Sequence, residues 1–242
     1  NRGLRRPHNE DNYLFCGKIR EEDPESTSIQ VYSPRLKSND SIVGVFDGMG
    51  GMAHGERASL TAAHCFRDQN NDTKLCDSFR ALCKTANSLI HSQNEQCNYE
   101  SGTTVAAIGF ERRKAVICNV GDSRVYRKRK GNLEQLSKDH TDKALLDSMG
   151  ITSRQPRLMQ YLGLGDHMNV HPEITETAIN QGDVYLCCTD GLYSMVPDSE
   201  LSSIMDGSVP LQTIASNLMD AALNAGGIDN ITFVLCRVRF GF

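Results

Sequence analysis

The chain reads as an α+β protein: a central antiparallel β-sandwich with helices on both outer faces, four layers in the order αββα. Three observations predict it. Short segments rich in β-branched and aromatic residues recur, each bounded by Gly, Asn or Asp, which is the pattern of strands. From Thr104 to Leu136 they follow one another so closely that a meander with antiparallel pairing is implied. The helical stretches each carry a single apolar stripe, so they must cover the sheets from outside.

The strands are expected at Tyr13 to Cys16, Gln30 to Ser33, Ile42 to Phe46, Thr104 to Phe110, Ala115 to Val120, Arg124 to Arg127, Val184 to Thr189 and Ile231 to Val238. One helix follows from Leu75, Phe79, Leu82, Ala86, Leu89 and Ile90, which recur at spacings of three and four. Leu211, Ile214, Leu218 and Ala221 repeat the pattern, with Gly226-Gly227 as the stop. A third helix runs from Gly55 through Ala58, Ala62 and Phe66.

Composition narrows the class. A chain of 242 residues, 39% hydrophobic and 23% charged, buries one sizeable core, and residues 1–242 are read as one domain. No apolar run approaches the roughly 20 residues of a membrane span, and none resembles a signal peptide. The nine cysteines are scattered without zinc-ligand spacing, which points to a reduced, cytoplasmic protein. A net charge of -4 argues against bulk nucleic-acid binding. The basic turns Glu111 to Lys114 and Arg127 to Lys130 are read as solvated hairpin tips, with a partner-docking surface as the alternative.

The chemistry lies in acids at strand ends. Asp47 closes the apolar run "VGVF" and is followed by Gly48, Met49, Gly50 and Gly51. Asp190 closes "VYLCCT", Asp229 precedes "NITFVLCRV", and Asp122 lies in the tight link "NVGDSRVY". Glu10 and Asp11 stand before "NYLFC". A single Asp-Gly after a strand is ordinarily a plain turn. Several carboxylates at one rim would repel one another unless a divalent cation sat among them, and an all-oxygen donor set favours magnesium or manganese over zinc.

Taken in order, "RPHNED", "VFDGMGG", "SGTT", "VGDSRVY", "CTDG" and "DNIT" resemble the metal-dependent serine/threonine protein phosphatases of type 2C, on the bacterial side of that family. The resemblance runs from Arg6 to about Val238. It implies hydrolysis of phosphoserine and phosphothreonine in proteins by a metal-activated water. Two manganese or magnesium ions would be held tightly and a third more weakly. By the same resemblance Asp47 bridges the paired ions with the Gly48 carbonyl on one of them, and Asp190 and Asp229 supply the other ligands. Asp122 helps hold the third ion, Glu10 and Asp11 act through water, and Arg6 grips the substrate phosphate. The implied partners are phosphorylated proteins, a serine/threonine kinase among them, with the chain acting as a monomer. Two rival readings are a catalytically weak phosphatase-fold regulator that binds phosphoproteins or a kinase, and a hydrolase of small phosphoesters.

The sequence departs from the bacterial pattern in places. Met52 stands where histidine usually follows "DGMGG", and His54 appears two places on; His54 is expected to be structural, with metal-bound water protonating the leaving group. "CTDG" replaces the usual "SDG", read as a neutral packing change. The family's first strand would lie before Arg2. The stretch around 139–171 corresponds to the family's flap, read either as a lid with a short helix or as an exposed connection. His140 within it is read as a hydrogen-bonded structural residue, with a substrate contact as the alternative.

Overall fold

Apolar runs too short for helices form the centre of the molecule, because β-branched side chains on alternating faces suit a sheet covered on both sides. The structure is a computed structural model that describes residues 1–21, 42–50, 54–69, 73–165 and 170–240. The strands are β1 (Asn12–Leu14), β2 (Ile42–Phe46), β3 (Gly48–Met49), β4 (Gly102–Thr103), β5 (Val105–Glu111), β6 (Lys114–Val120), β7 (Arg124–Arg129), β8 (Asn132–Gln135), β9 (Glu173–Ala178), β10 (Val184–Cys188) and β11 (Phe233–Arg237). The helices are α1 (Gly55–Arg67), α2 (Leu75–Cys97), α3 (Lys143–Ser148), α4 (Asp190–Tyr193), α5 (Asp198–Ile204) and α6 (Leu211–Asn224). The expected strand at Gln30 to Ser33 lies outside the described residues.

The strands form a five-stranded sheet, β1-β2-β5-β6-β9, and a four-stranded sheet, β11-β10-β7-β8, with antiparallel neighbours throughout. Val43, Val45, Ala106, Ile108 and Ile117 of the first sheet meet Val125, Tyr185, Cys187 and Val234 of the second. The alternate residues of the same strands face outward. Ile42, Phe46, Ala107, Val116 and Cys118 pack under α1 and α2, and Tyr126, Leu186 and Cys188 under the α4–α6 layer. The αββα order is therefore present. At Gly109 a Cβ would lie 2.8 Å from Leu75 Cδ1, so the bare backbone there sets how closely α2 approaches its sheet.

The expected meander is corrected in one respect. β5 and β6 form a hairpin, as do β7 and β8, but β6 and β7 belong to different sheets. The link Gly121-Asp122-Ser123 carries the chain across the sandwich instead of pairing its neighbours, and Gly121 makes the turn at φ 105°. The strand β9 was not anticipated. Its residues, Glu173 to Ala178, lie on a sheet edge and are exposed or half-buried without a strong apolar signal. In the stretch from 139 onward, α3 is the expected short helix, and an isolated bridge between Thr141 and Leu158 ties its base together.

Candidate metal centre and phosphate site

Register places the acids. Asn12 pairs with Phe46, so Asp11 and Asp47 lie side by side just past the paired ends of β1 and β2. In the other sheet Cys188 lies between Arg124 and Phe233, which brings Asp190 to the same end as the Asp122 link and the approach to β11. Because strands alternate in direction, residues far apart in sequence collect at one rim.

The rim is electrostatically crowded. Burial, then the negative charges of Asp11, Asp190, Asp122 and Asp229, hold the Asp47 carboxyl well above the usual carboxylate range. Asp11 is only 2% exposed, and burial pushes it up to about 6 against the opposing hydrogen bonds from Thr232 and Thr189. Asp122 is also pushed up to about 6, by burial and then by Asp190. Asp190 is raised by burial and by Asp229, and Glu10 by burial and by Glu56.

Asp47 and Asp122 are fixed through their backbones. The Asp47 N–H donates to Thr104 Oγ1 at 3.1 Å, and the Asp47 carbonyl accepts from the Thr104 N–H and the Thr103 hydroxyl, both at 2.9 Å. Thr104 Oγ1 lies 2.6 Å from Ser123 Oγ, beside Asp122. The Tyr193 hydroxyl donates to the Asp122 carbonyl at 3.0 Å. Arg124 stacks 3.8 Å over the Tyr193 ring while pairing with Asp139 at 2.7 Å.

The segment carrying Arg6, Glu10 and Asp11 is laced to the one carrying Asp229. Asn230, 5% exposed, accepts the Glu10 N–H at 2.7 Å and donates to the carbonyls of His8 at 2.9 Å and Arg2 at 3.0 Å. Arg6 Nη2 meets Asp229 Oδ2 at 2.7 Å. Two glycines permit the close approaches. A Cβ on Gly48 would run into the carbonyl oxygens of Gly55 and Glu10, and one on Gly191 into that of Asn230.

The donors fit hard divalent cations, since they are carboxylate and carbonyl oxygens whose mutual repulsion a cation relieves. Among the described residues no three His, Cys, Asp or Glu side chains already close around one point. Glu56, next to Gly55, shows the same shortage of positive partners: its Oε2 is shielded from water with no hydrogen-bond partner.

Comparison with known proteins decides the family. The protein phosphatase 2C family matches residues 29–225. The chain belongs to the protein phosphatase 2C family. It is 34% identical over 222 residues to the serine/threonine protein phosphatase PstP of Mycobacterium tuberculosis H37Rv, covering 84% of this chain and 43% of that protein. It is 32% identical over 251 residues to the serine/threonine phosphatase Stp of Listeria monocytogenes 4b, covering 97% of this chain and 92% of that one. The crystal structure of the M. tuberculosis phosphatase PstP/Ppp superposes with a TM-score of 0.80 at 29% identity, over 99% of this chain and 96% of that one. A PstP catalytic domain in complex with two manganese ions superposes at 0.76 with 30% identity, over 97% of this chain and 94% of that one.

Within this phosphatase 2C chain, Asp47, Gly48, Asp122 and Asp190 fall inside the matched span, while Arg6, Glu10, Asp11 and Asp229 lie outside it and are brought in by folding. Sequence reasoning missed Asn230, although it stands in the quoted "DNIT"; an amide there had no assigned work. It also undervalued Thr189, whose hydroxyl donates to Asp11 Oδ2 at 3.0 Å and accepts the Thr232 N–H at 3.2 Å. Threonine for serine in "CTDG" keeps that hydroxyl, so the change is polar support rather than packing alone. His140 takes the structural role, its Nδ1 accepting the Gly121 N–H at 3.2 Å. His54 stacks on Tyr99 with centroids 4.0 Å apart and planes 11° from parallel.

Proposed function

We propose that the chain is a working metal-dependent protein phosphatase that hydrolyses phosphoserine and phosphothreonine in proteins. The observation that carries the reading is the convergence of Glu10, Asp11, Asp47, Asp122, Asp190 and Asp229, with Arg6 beside them, at one rim of the sandwich. Asp47, Asp190 and Asp229 with the Gly48 carbonyl would hold two manganese or magnesium ions, and Asp122 a weaker third. When bound, the ions acidify water and offset phosphate charge.

Arg6 binds and orients the phosphate. Only its Nη2 is bonded, to Asp229, so among the described residues its other donors remain available to the planar, paired recognition that phosphate oxygens favour. Glu10 and Asp11 hold water, the Glu10 backbone held by Asn230 and the Asp11 carboxylate by Thr189. Met49 has no proton to give and His54 is engaged with Tyr99, so the departing serine or threonine oxygen takes its proton from water at the rim. In this reading residues 1–242 make one catalytic domain, with the stretch around 139–171 as its flap. It acts as a monomer in the cytoplasm on phosphorylated proteins that include a serine/threonine kinase. All nine cysteines are free, which suits a reducing compartment. No helix among the described residues is long and apolar enough to cross a membrane.

The test is phosphate release from a phosphothreonine peptide with manganese and then with excess chelator. Release should depend on manganese and stop with chelator, and Asp47→Asn should lower it at least about 10²-fold. Hydrolysis of p-nitrophenyl phosphate without peptide hydrolysis would make the chain a small-phosphoester enzyme. Peptide binding without either hydrolysis would make it a regulator.

A further inference from the structure

The end of the sandwich opposite the acids is basic, and two turns there are built against backbone preference. The β5–β6 hairpin turns at Arg112-Arg113 and the β7–β8 hairpin at Lys130-Gly131. Arg112 has φ 54° and Lys130 φ 48°, in the left-handed region where glycine or asparagine sits more cheaply. Both hairpins thus put a long cation where a small residue is favoured. Unfavourable backbone retained at a surface turn points to a use for the side chain.

Arg112, Arg113, Lys130 and Arg239 are exposed, and none makes an ion pair with a carboxylate among the described residues. Their basic neighbours are committed elsewhere. Lys114 pairs with Glu176 at 2.8 Å, Arg129 with Asp183 at 2.6 Å, and Lys128 donates to the Ser202 carbonyl near the end of α5 at 2.7 Å. Arg113 lies 5.9 Å from the Phe240 ring centre, which holds the first turn beside the end of β11. The acids at this end are Glu111, Glu134, Glu176, Asp183 and Asp206. Glu176 and Asp183 are taken by the pairs just named, Glu134 pairs with Arg127, and Asp206 accepts the Ser208 N–H at 2.9 Å. Beside the second turn lies a recess of about 480 Å³ lined by Lys128, Lys130, Gly131, Gly182, Ser202 and Asp206. In a chain of net charge -4 this is a local reversal of sign.

We propose that this basic end docks an acidic segment of the protein substrate, remote from its phosphorylated residue; the proposal rests on the phosphatase reading. β6 has seven residues and runs from this end to the acid rim, so the two sites lie about 20 Å apart. A substrate held by its acidic segment presents its phosphate at raised local concentration without any new contact at the catalytic rim. Turns from both sheets, with a recess beside one of them, suit a chain better than the plane of a membrane.

The binding arm of the test uses a fluorescein-labelled deca-glutamate peptide and anisotropy, which needs no catalysis and so fails independently of the phosphatase reading. The wild type should bind at low salt and weaken as salt rises. The variant R112E/R113E/K130E/R239E should bind at least about tenfold less tightly, and the all-Gln variant should fall between the two. The kinetic arm joins a phosphothreonine peptide to deca-glutamate by a Gly/Ser linker of roughly 15 residues, whose mean span is about 20 Å. Its KM should rise about tenfold in the charge-reversed variant, with kcat and p-nitrophenyl phosphate turnover unchanged. Absence of peptide binding, or equal binding by wild type and both variants, would overturn the proposal. So would loss of binding to phosphatidylserine-phosphatidylcholine vesicles with peptide binding intact, which would make this end a membrane surface.

Discussion

Thr189 and Asn230 carry the site without touching its chemistry. Thr189 is fully buried and, with Thr232, donates to the Asp11 carboxylate. Thr189→Val keeps the volume and removes the hydroxyl, taking one donor from the buried Asp11 carboxylate and the acceptor from the Thr232 N–H. A loss of about 1–3 kcal/mol in urea unfolding is expected, with Thr189→Ser much closer to the wild type. Equal losses for the two variants would mean that the methyl matters and the hydroxyl does not. Asn230→Ala removes three hydrogen bonds to the strap that bears Arg6 and Glu10. It should cost about 3 kcal/mol and, if Arg6 clamps the phosphate as proposed, raise KM for a phosphopeptide. "CTDG" and "DNIT" were visible as strings, but the partners of Thr189 and Asn230 lie 178 and 220 residues away. No local pattern encodes such a pairing.

At the scale of elements, periodicity was a sufficient guide wherever one face is buried. The helix stripe beginning at Leu75 and the run Ile42–Phe46 both appear where expected, because apolar spacing and secondary structure are the same physical constraint. β9 escaped because an edge strand needs little apolar side chain. The β6–β7 crossing escaped because a short link between strands looks alike whether it closes a hairpin or changes sheets. Gly109 shows the limit of propensity. Valine suits a strand better than glycine, yet a Cβ there meets Leu75 and Phe79 on α2. Gly109→Val should therefore destabilise the protein by about 1–3 kcal/mol, measured by urea unfolding. Stabilisation would show that α2 yields freely.

For the whole molecule, the opposed ends have different dependence on solution conditions. Manganese at a free concentration about 100-fold above its Kd should add about 2.7 kcal/mol and raise Tm, and chelator should reverse it, because an ion held by the proposed rim ligands binds the folded chain and not the unfolded one. Asp47→Asn should blunt that rise. At the other end, burial raises the Asp183 carboxyl, but hydrogen bonds from Arg129 and from the Asn180 N–H outweigh it and hold the acid below its ordinary range. A depressed folded value means that the unfolded chain binds the proton first. The contribution of Asp183 is then present above about pH 4 and disappears as pH falls through the folded value. Asp183→Asn should cost about 1–3 kcal/mol at neutral pH, with the difference from wild type shrinking below about pH 4. A constant difference down the acid range would mean that packing, not charge, is what Asp183 supplies.

The sequence by itself determined the αββα class and which acids stand at strand ends, because alternation, apolar stripes and acids abutting apolar runs are properties of neighbouring residues. Only the tertiary structure decided that Asp11 lies against Asp47, that Asp229 meets Arg6, and that Asn230 ties the two termini of the site together. Those contacts depend on strand register and on a change of sheet between β6 and β7, and both are set by the packing of two whole sheets rather than by any stretch of chain.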